Sequence, residues 1–236
     1  EQVQAEFARR KAMGGTYSGK DILSAKLVCE DCGGFFGYKV WHSTDKYRKV
    51  IWQCNNKWKN DVHCQTPTLD SETVRRMFLQ AYRQLMEKRG QILEDCTLIR
   101  QSLTDLRDLD TAIATQVEKA EIVAELVRTA VKKNASSDES EEVFRKSYEE
   151  LCMRYEKATQ ELNRLREERE SRIRQSKAIE QFMREVRKNP AMLDAWDDTI
   201  WTVMLKHAIV HRDGDLTFVF ADGTEIHIAH EAEGNR

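Results

Sequence analysis

The residues of this chain that could do chemistry are four cysteines near its N-terminal end. They lie within a window of 36 residues: Cys29, Cys32, Cys54 and Cys64. A Cys-x-x-Cys spacing lets two thiolates reach one metal ion from a single tight turn, and a tetrahedral zinc ion takes four such ligands. Gly33 and Gly34 follow directly and free backbone amides to approach the thiolates. We therefore predict a structural Zn²⁺ site, because four thiolates leave no coordination position for a substrate water.

Other interpretations of these cysteines remain open from the sequence. The four could form two disulfides or a buried apolar cluster, and His63 could replace one cysteine as a ligand. Cys96 and Cys152 stand alone in helical sequence, which argues against a disulfide scaffold and favours a reduced, cytoplasmic protein. A second metal site is also conceivable among four late histidines, although ordinary surface histidines are the simpler interpretation: His207, His211, His227 and His230.

The window between Cys32 and Cys64 is basic in a chain whose formal net charge is −2. It holds six basic and two acidic residues, a net of +4, interleaved with tryptophan and tyrosine. Scattered lysines usually mark a solvated face. A β-ribbon can, however, enter the major groove of DNA, where basic side chains attract the phosphates. The predicted DNA-binding residues are Lys39, His42, Lys46, Arg48, Lys49 and Lys57.

The elements that must position these residues are short strands followed by long helices. Residues 26–28, 35–41 and 46–54 are rich in β-branched and aromatic residues, which predicts strands. A helix is expected to begin at Ser71. A heptad seam then runs from Ile99 to Val131 with one polar residue, Asp110.

A second seam runs from Phe144 to Leu165, and the polar segment 134–140 separates it from the first. The two seams predict an antiparallel coiled-coil hairpin. After the break at Asn189-Pro190 we predict a helix over 191–207. Two Asp-Gly turns between three short β-rich segments then predict a three-stranded antiparallel meander.

Together these elements predict an α+β fold. Its parts are a zinc β-ribbon domain, an inserted long antiparallel coiled-coil hairpin, and a C-terminal helix with a small antiparallel sheet. The predicted divisions are a linker from a preceding domain over 1–24, the first part of the ribbon domain over 25–98, the arm over 99–172 and the second part of the ribbon domain over 173–236. No apolar run suggests a membrane span, and no nucleophile with a partnering base stands out. Because Glu1 is not a natural start, we expect a piece of a longer protein.

The order of these features resembles the C-terminal part of the large serine recombinases, which include phage integrases and recombinases of other mobile elements. The matching segments are Tyr17–Lys20, Lys26–Cys29, Cys32-Gly33, Cys54, Cys64, Ile209-Val210, Phe218–Phe220 and Gly223–Ile226. The resemblance implies a ribbon domain that binds double-stranded attachment-site DNA and a coiled-coil arm through which subunits associate. It also implies a directionality factor as a further partner and a bacterial or phage-encoded cytoplasmic protein.

In that family the catalytic serine lies in an N-terminal domain, so the resemblance implies no enzymatic activity for this fragment. The parent chain would be a site-specific serine recombinase. A different class of function also fits the sequence. In it, the chain is an adaptor whose zinc ribbon and coiled coil assemble a protein complex without touching DNA.

Overall fold

The computed structural model describes residues 21–59, 64–134 and 141–231 of the 236. Residues 1–20 of the linker predicted over 1–24, the alternative ligand His63 and the segment 135–140 lie outside that range. The strands are β1 (Leu27–Cys29), β2 (Phe36–Trp41), β3 (Lys49–Cys54), β4 (Leu205–Val210), β5 (Leu216–Phe220) and β6 (Glu225–Ile228). The helices are α1 (Ser71–Glu87), α2 (Arg89–Thr104), α3 (Arg107–Asn134), α4 (Glu141–Lys188) and α5 (Asp198–Met204). The predicted α+β class is confirmed.

The chain divides into two compact units. The first combines Glu1–Cys96 with Ala178–Arg236, and the second is Thr97–Lys177. The first unit is therefore built from both ends of the chain, and the second is inserted between them. Among the described residues, none of the helices combines the length with the apolar composition that a membrane-spanning segment needs.

In the first unit, a four-stranded sheet has the order β1-β4-β5-β6. Strands β4, β5 and β6 form the predicted antiparallel meander, and β1 adds a fourth strand to the sheet, in parallel with β4. Leu27 pairs with Ala208 and Cys29 with Val210. The strand that ends with the first cysteine thus pairs with a strand that follows the inserted unit in the sequence.

The core of this unit lies between α1 and the sheet. The buried residues of α1 are Val74, Met77, Phe78, Ala81, Tyr82, Leu85 and Met86. The ring of Phe78 lies at its centre, with ring centroids 5.0 Å from Trp201 and 5.9 Å from Phe218. Asp70 begins the helix, because its side chain accepts a hydrogen bond from the Thr73 amide. The predicted helix start at Ser71 is confirmed.

The predicted helix over 191–207 is wrong at both ends. Helix α5 covers only Asp198–Met204, because the carboxylate of Asp197 caps the amides of Thr199 and Ile200. Leu205 already belongs to β4. The end of α5 is fixed by Lys26, a buried residue beside β1, whose ammonium donates to the carbonyls of Trp201, Thr202 and Leu205.

In the second unit, α3 and α4 run antiparallel. Gln116 donates to the Ala158 carbonyl at 3.0 Å, and the Arg169 Nε lies 2.7 Å from Asp110 Oδ1 nearer the start of α3. The expected polar position within the first seam is wrong. Leu109 is buried, whereas Asp110 is exposed and pairs with Arg169. The helix breaks at Asp105 and Leu106, and beyond the break one row of the seam is displaced by one residue, since Val123 is likewise buried in place of Ala124.

Candidate metal centre and nucleic-acid interface

The four predicted cysteine ligands come together in one cluster. Their sulfur atoms all lie within 4.8 Å of one another. The Sγ of Cys54 is 3.5 Å from that of Cys32 and 3.8 Å from that of Cys64. A tetrahedral zinc ion with Zn–S bonds of about 2.3 Å needs sulfur atoms about 3.8 Å apart. The spacing fits a tetrahedral ion, and the disulfide alternative is wrong because every cysteine is free.

The loops around the cluster direct hydrogen-bond donors at the sulfur atoms. The amides of Gly34 and Asn56 each lie 3.4 Å from a sulfur, those of Cys32 and Cys54 respectively. The Asn56 side chain lies 3.7 Å from Cys32 Sγ. A Cβ on Gly34 would lie only 2.5 Å from that side-chain nitrogen, so a larger residue here would displace the Asn56 amide from the Cys32 sulfur.

The electrostatics of the cluster suit a bound cation. Burial raises the pKa of the Cys64 thiol to about 11 and also raises the pKa of Cys54. Burial acts on Cys32 in the same direction, but hydrogen bonds from Gly34, the neighbouring thiols and Asn56 lower its pKa to about 7. Metal coordination deprotonates a thiol outright. These four residues could therefore hold a divalent, thiophilic ion such as Zn²⁺.

The hairpin of β2 and β3 projects basic side chains beside this cluster. Trp41 pairs with Lys49 and Lys39 pairs with Ile51, so Lys39, Trp41 and Lys49 share one face. Both lysines are exposed, and 48% of Trp41 is exposed. The opposite face carries Tyr38 and Trp52, whose rings meet edge to face at 5.9 Å. The face of Tyr38 and Trp52 therefore packs inward, whereas the other face, apart from the buried Ile51, presents cations around an exposed indole.

The remaining predicted DNA-binding residues differ in their surroundings. Lys46 lies over the Tyr47 ring, and His42 contacts Asp45 at 3.2 Å, both in the exposed loop that closes the hairpin. Arg48 is exposed in the same loop. Lys57 is half-buried, and its ammonium donates to the Thr66 carbonyl at 2.7 Å. The structure thus directs Lys57 into the loops around the cysteines.

Residues 22–83 match the family model of the recombinase zinc beta ribbon domain. The resemblance to recombinases is confirmed over this segment, which contains the four cysteines and the basic hairpin. A solved structure described as "Crystal Structure of a LSR-DNA Complex" is also similar, at 12% identity and a TM-score of 0.34. That similarity covers 98% of this chain and 64% of the other, so this chain spans less than two thirds of that one. No curated protein matches the chain in sequence.

Two residues that matter to the zinc ribbon were not identified from the sequence. Thr66 is fully buried, and its hydroxyl lies 3.3 Å from the Cys29 sulfur. The carboxylate of Asp31 accepts hydrogen bonds from the amides of Gln65 and Thr66. A hydrogen bond from Arg212 lowers the pKa of Asp31, so it is ionised at neutral pH. The position of Asp31 inside the Cys-x-x-Cys turn was the signal that could have revealed it.

The late histidines do not form a second metal site within the described residues, where the cysteine cluster is the one group of suitable ligands. His211 and His227 both hydrogen-bond the hydroxyl of Thr217, at 2.8 and 3.2 Å. His211 also pairs with Glu30, and His227 with Asp215. These two histidines belong to a polar network that ties β5 and β6 to the zinc ribbon.

Proposed function

We propose that this chain is the DNA-binding part of a large serine recombinase, with a structural zinc ion on Cys29, Cys32, Cys54 and Cys64. The observation that carries the proposal is the basic hairpin face within a segment that matches the recombinase zinc ribbon. Zinc holds the loops at the base of the hairpin, and the hairpin meets double-stranded DNA at an attachment site. Such a protein works in the cytoplasm, where thiolate ligands stay reduced.

The hairpin face combines two kinds of contact that DNA recognition uses. Lys39 and Lys49 attract phosphates, and the exposed Trp41 between them can contact base edges or thymine methyl groups. Lys46, Arg48 and His42 extend the basic surface through the loop. The ammonium of Lys49 also lies 3.9 Å from the carboxylate of Asp70, the residue that caps α1. This ion pair orients the hairpin face relative to the core.

The double variant Lys39→Ala/Lys49→Ala tests this interface. Each lysine that neutralises a phosphate contributes about one to the slope of log K against log salt, so the slope should fall by about two. The measurement is fluorescence anisotropy on a duplex between 50 and 200 mM salt. The matched control is Lys119→Ala/Lys146→Ala, which removes the same charge from exposed positions of the other unit.

An equal loss of affinity in the control would show that only net charge matters and would contradict the assignment of the face. If the unsubstituted chain binds no DNA even at low salt, the adaptor function takes its place. A selected attachment-site duplex and a scrambled duplex of equal composition separate specific from general binding. The binding role requires no catalytic residue in this chain, and the catalytic serine would lie on another domain of the parent recombinase.

We propose further that the second unit is an arm through which subunits associate. Large apolar side chains are exposed along it, including Leu126 at 42%, Val131 at 49% and Val143 at 54%. Apolar surface of this kind favours contact with another protein. Its charged outer positions include Lys146 with Glu142 and Arg128 with Glu125. A directionality factor would be a second partner for the same surface.

The variant Val131→Glu/Val143→Glu should abolish weak self-association of the chain, as measured by sedimentation equilibrium. Both side chains are about half exposed, so the charge should cost the fold little. The control is Lys132→Ala/Lys146→Ala, which lowers the net charge by the same two units without removing an apolar side chain.

In the full recombinase, deleting roughly residues 103–165 should preserve DNA binding and impair recombination. Intact recombination after the deletion would reduce the arm to a spacer.

A further inference from the structure

We propose that Arg212 is a positioning residue of the metal centre and acts through the carboxylate of Asp31. The inference rests on the zinc site proposed above. Arg212 lies in the turn after β4, far from the four cysteines in sequence. Its Nε donates to Asp31 Oδ1 at 2.6 Å. The structure thereby connects the part of the chain after the inserted unit to the turn that holds the first two ligands.

Asp31 joins the two loops that supply three of the four ligands. It lies between Cys29 and Cys32, and only 10% of its side chain is exposed. Its Oδ2 accepts the amide of Gln65 at 2.5 Å and that of Thr66 at 3.3 Å, the two residues after Cys64. One carboxylate thus uses both oxygens, one toward the Cys64 loop and the other toward Arg212.

Thr66 connects the Asp31 carboxylate to a ligand sulfur. Its amide is held by Asp31, its hydroxyl lies 3.3 Å from the Cys29 sulfur, and its carbonyl accepts from Lys57. A displaced Asp31 would release the Thr66 amide and loosen the contact with that sulfur. Residues outside the ligand shell that orient ligands in this way typically change metal affinity by about 10–100-fold when they are removed.

Charge explains why an arginine is needed. Four thiolates around a divalent ion leave a net negative charge, which repels the carboxylates of Glu30 and Asp31 beside the ligands. Arg212 offsets this repulsion through its guanidinium, and its amide lies 3.3 Å from Glu30 Oε2. The neighbouring His211 pairs with the other oxygen of Glu30 at 3.0 Å. Two consecutive residues after β4 therefore hold two consecutive carboxylates between the ligands.

The test is the metal affinity of Arg212→Gln in the complete 236-residue chain. Co²⁺ is titrated into metal-free protein and then displaced with Zn²⁺, because the d–d bands of Co²⁺ report tetrahedral thiolate coordination. We expect the variant to bind both ions at least about ten-fold more weakly and to release Zn²⁺ faster to a chelator. The matched control is Arg107→Gln, which removes a similar arginine–aspartate pair, with Asp105, from the other unit.

The outcomes separate the inference from the function on which it rests. If the unsubstituted chain binds no Co²⁺ or Zn²⁺, the metal assignment fails, and the inference fails with it. If the unsubstituted chain binds metal and Arg212→Gln matches Arg107→Gln in affinity, only the inference is overturned. A lower melting temperature with unchanged affinity and unchanged d–d bands would also overturn it, since that is the result of a purely structural role.

A double variant confirms or refutes the route through Asp31. Asp31→Asn keeps the size of the side chain but places an amide where Arg212 or the backbone amides donate. If Arg212 acts through Asp31, the affinity of Asp31→Asn/Arg212→Gln should equal that of Asp31→Asn alone. Additive losses would show that Arg212 acts by another route and would overturn the proposal. Arg212→Lys should restore part of the affinity, because it returns the charge without the guanidinium geometry.

Discussion

Cys54→Ser should abolish tight metal binding and unfold the hairpin of β2 and β3. Cys54 ends β3, is 3% exposed, and its sulfur lies within 3.8 Å of those of Cys32 and Cys64. A serine hydroxyl is a poor zinc ligand, so the site would keep three thiolates. Loss of the metal would destabilise the hairpin directly, because Cys54 at the end of β3 also pairs with Phe36 of β2.

The expected effect is large because a zinc ion at the proposed site would supply most of the stability of this region. Structural zinc sites in small ribbons and fingers have apparent binding free energies of about 10–16 kcal/mol. A two-stranded hairpin is marginal in water by itself. In the zinc ribbon the hairpin contributes few buried residues to the core besides Phe36, Ile51 and Trp52. Without the metal these side chains cannot compensate for the conformational entropy of the ordered loops.

Hydrogen exchange measures where the structure is lost. After Cys54→Ser or treatment with a chelator, amides of Phe36–Trp41 and Lys49–Cys54 should lose protection. Amides of Leu216–Phe220 should keep theirs, because that strand packs against α1 and is separated from the strand of Cys29 by β4. Cys152→Ser, at a half-buried cysteine of α4, is the matched control and should change neither metal content nor protection. Full protection of the hairpin in chelator would contradict a structural role for zinc.

The clustering of the four cysteines could be predicted from the sequence, because a metal site of this kind depends on residue type and short spacing. A Cys-x-x-Cys turn with two glycines behind it fixes two thiols in one loop, whatever the surrounding fold. The amide of Gly34 indeed lies 3.4 Å from the Cys32 sulfur. The hairpin was also predictable, since its alternating β-branched and aromatic residues lie close together in the sequence. Its first strand is predicted within one residue, over 35–41 against Phe36–Trp41.

Long-range pairing could not be predicted in the same way. Strand β1 has three residues and pairs with β4, although the whole inserted unit separates the two strands in the sequence. Nothing in Leu27–Cys29 indicates which distant strand would accept it. The ion pair between Asp31 and Arg212 could not be predicted for the same reason, because Arg212 belongs to the turn after β4. Interactions between the two ends of the chain depend on the folded core, which local periodicity does not describe.

The heptad prediction is wrong along one row of the seam for a different physical reason. A seam is extrapolated in phase only while the helix is continuous. The helix breaks between Thr104 and Arg107, and beyond the break Leu109 and Val123 are buried where Asp110 and Ala124 were expected. The other row keeps its predicted phase, since Ile113, Ala120 and Val127 are half-buried. On α4, which has no such break, the predicted positions Ala158, Leu162 and Leu165 are buried.

Phe78→Ala should destabilise the first unit by about 3–5 kcal/mol, the usual cost of removing a fully buried phenylalanine. Phe78 has no exposed surface, and its ring contacts those of Trp196 and Trp201 at 5.5 and 5.0 Å. It also contacts Phe220 of β5 at 6.3 Å. The alanine leaves a cavity where α1 meets residues from the far end of the chain. Urea unfolding monitored by tryptophan fluorescence measures the change.

The same variant tests whether the two ends of the chain fold as one cooperative unit. Phe78 precedes the inserted unit, whereas Trp201 and Phe220 follow it, so a shared core predicts one transition that moves as a whole. Tyr155→Ala removes an aromatic ring that is 42% exposed on α4 and should change the free energy of unfolding by less than about 1 kcal/mol. A separate early transition of β4–β6, with the zinc ribbon unaffected, would contradict a single core. Because β1 carries Cys29 and pairs with β4, a single transition means that loss of this core also releases the metal.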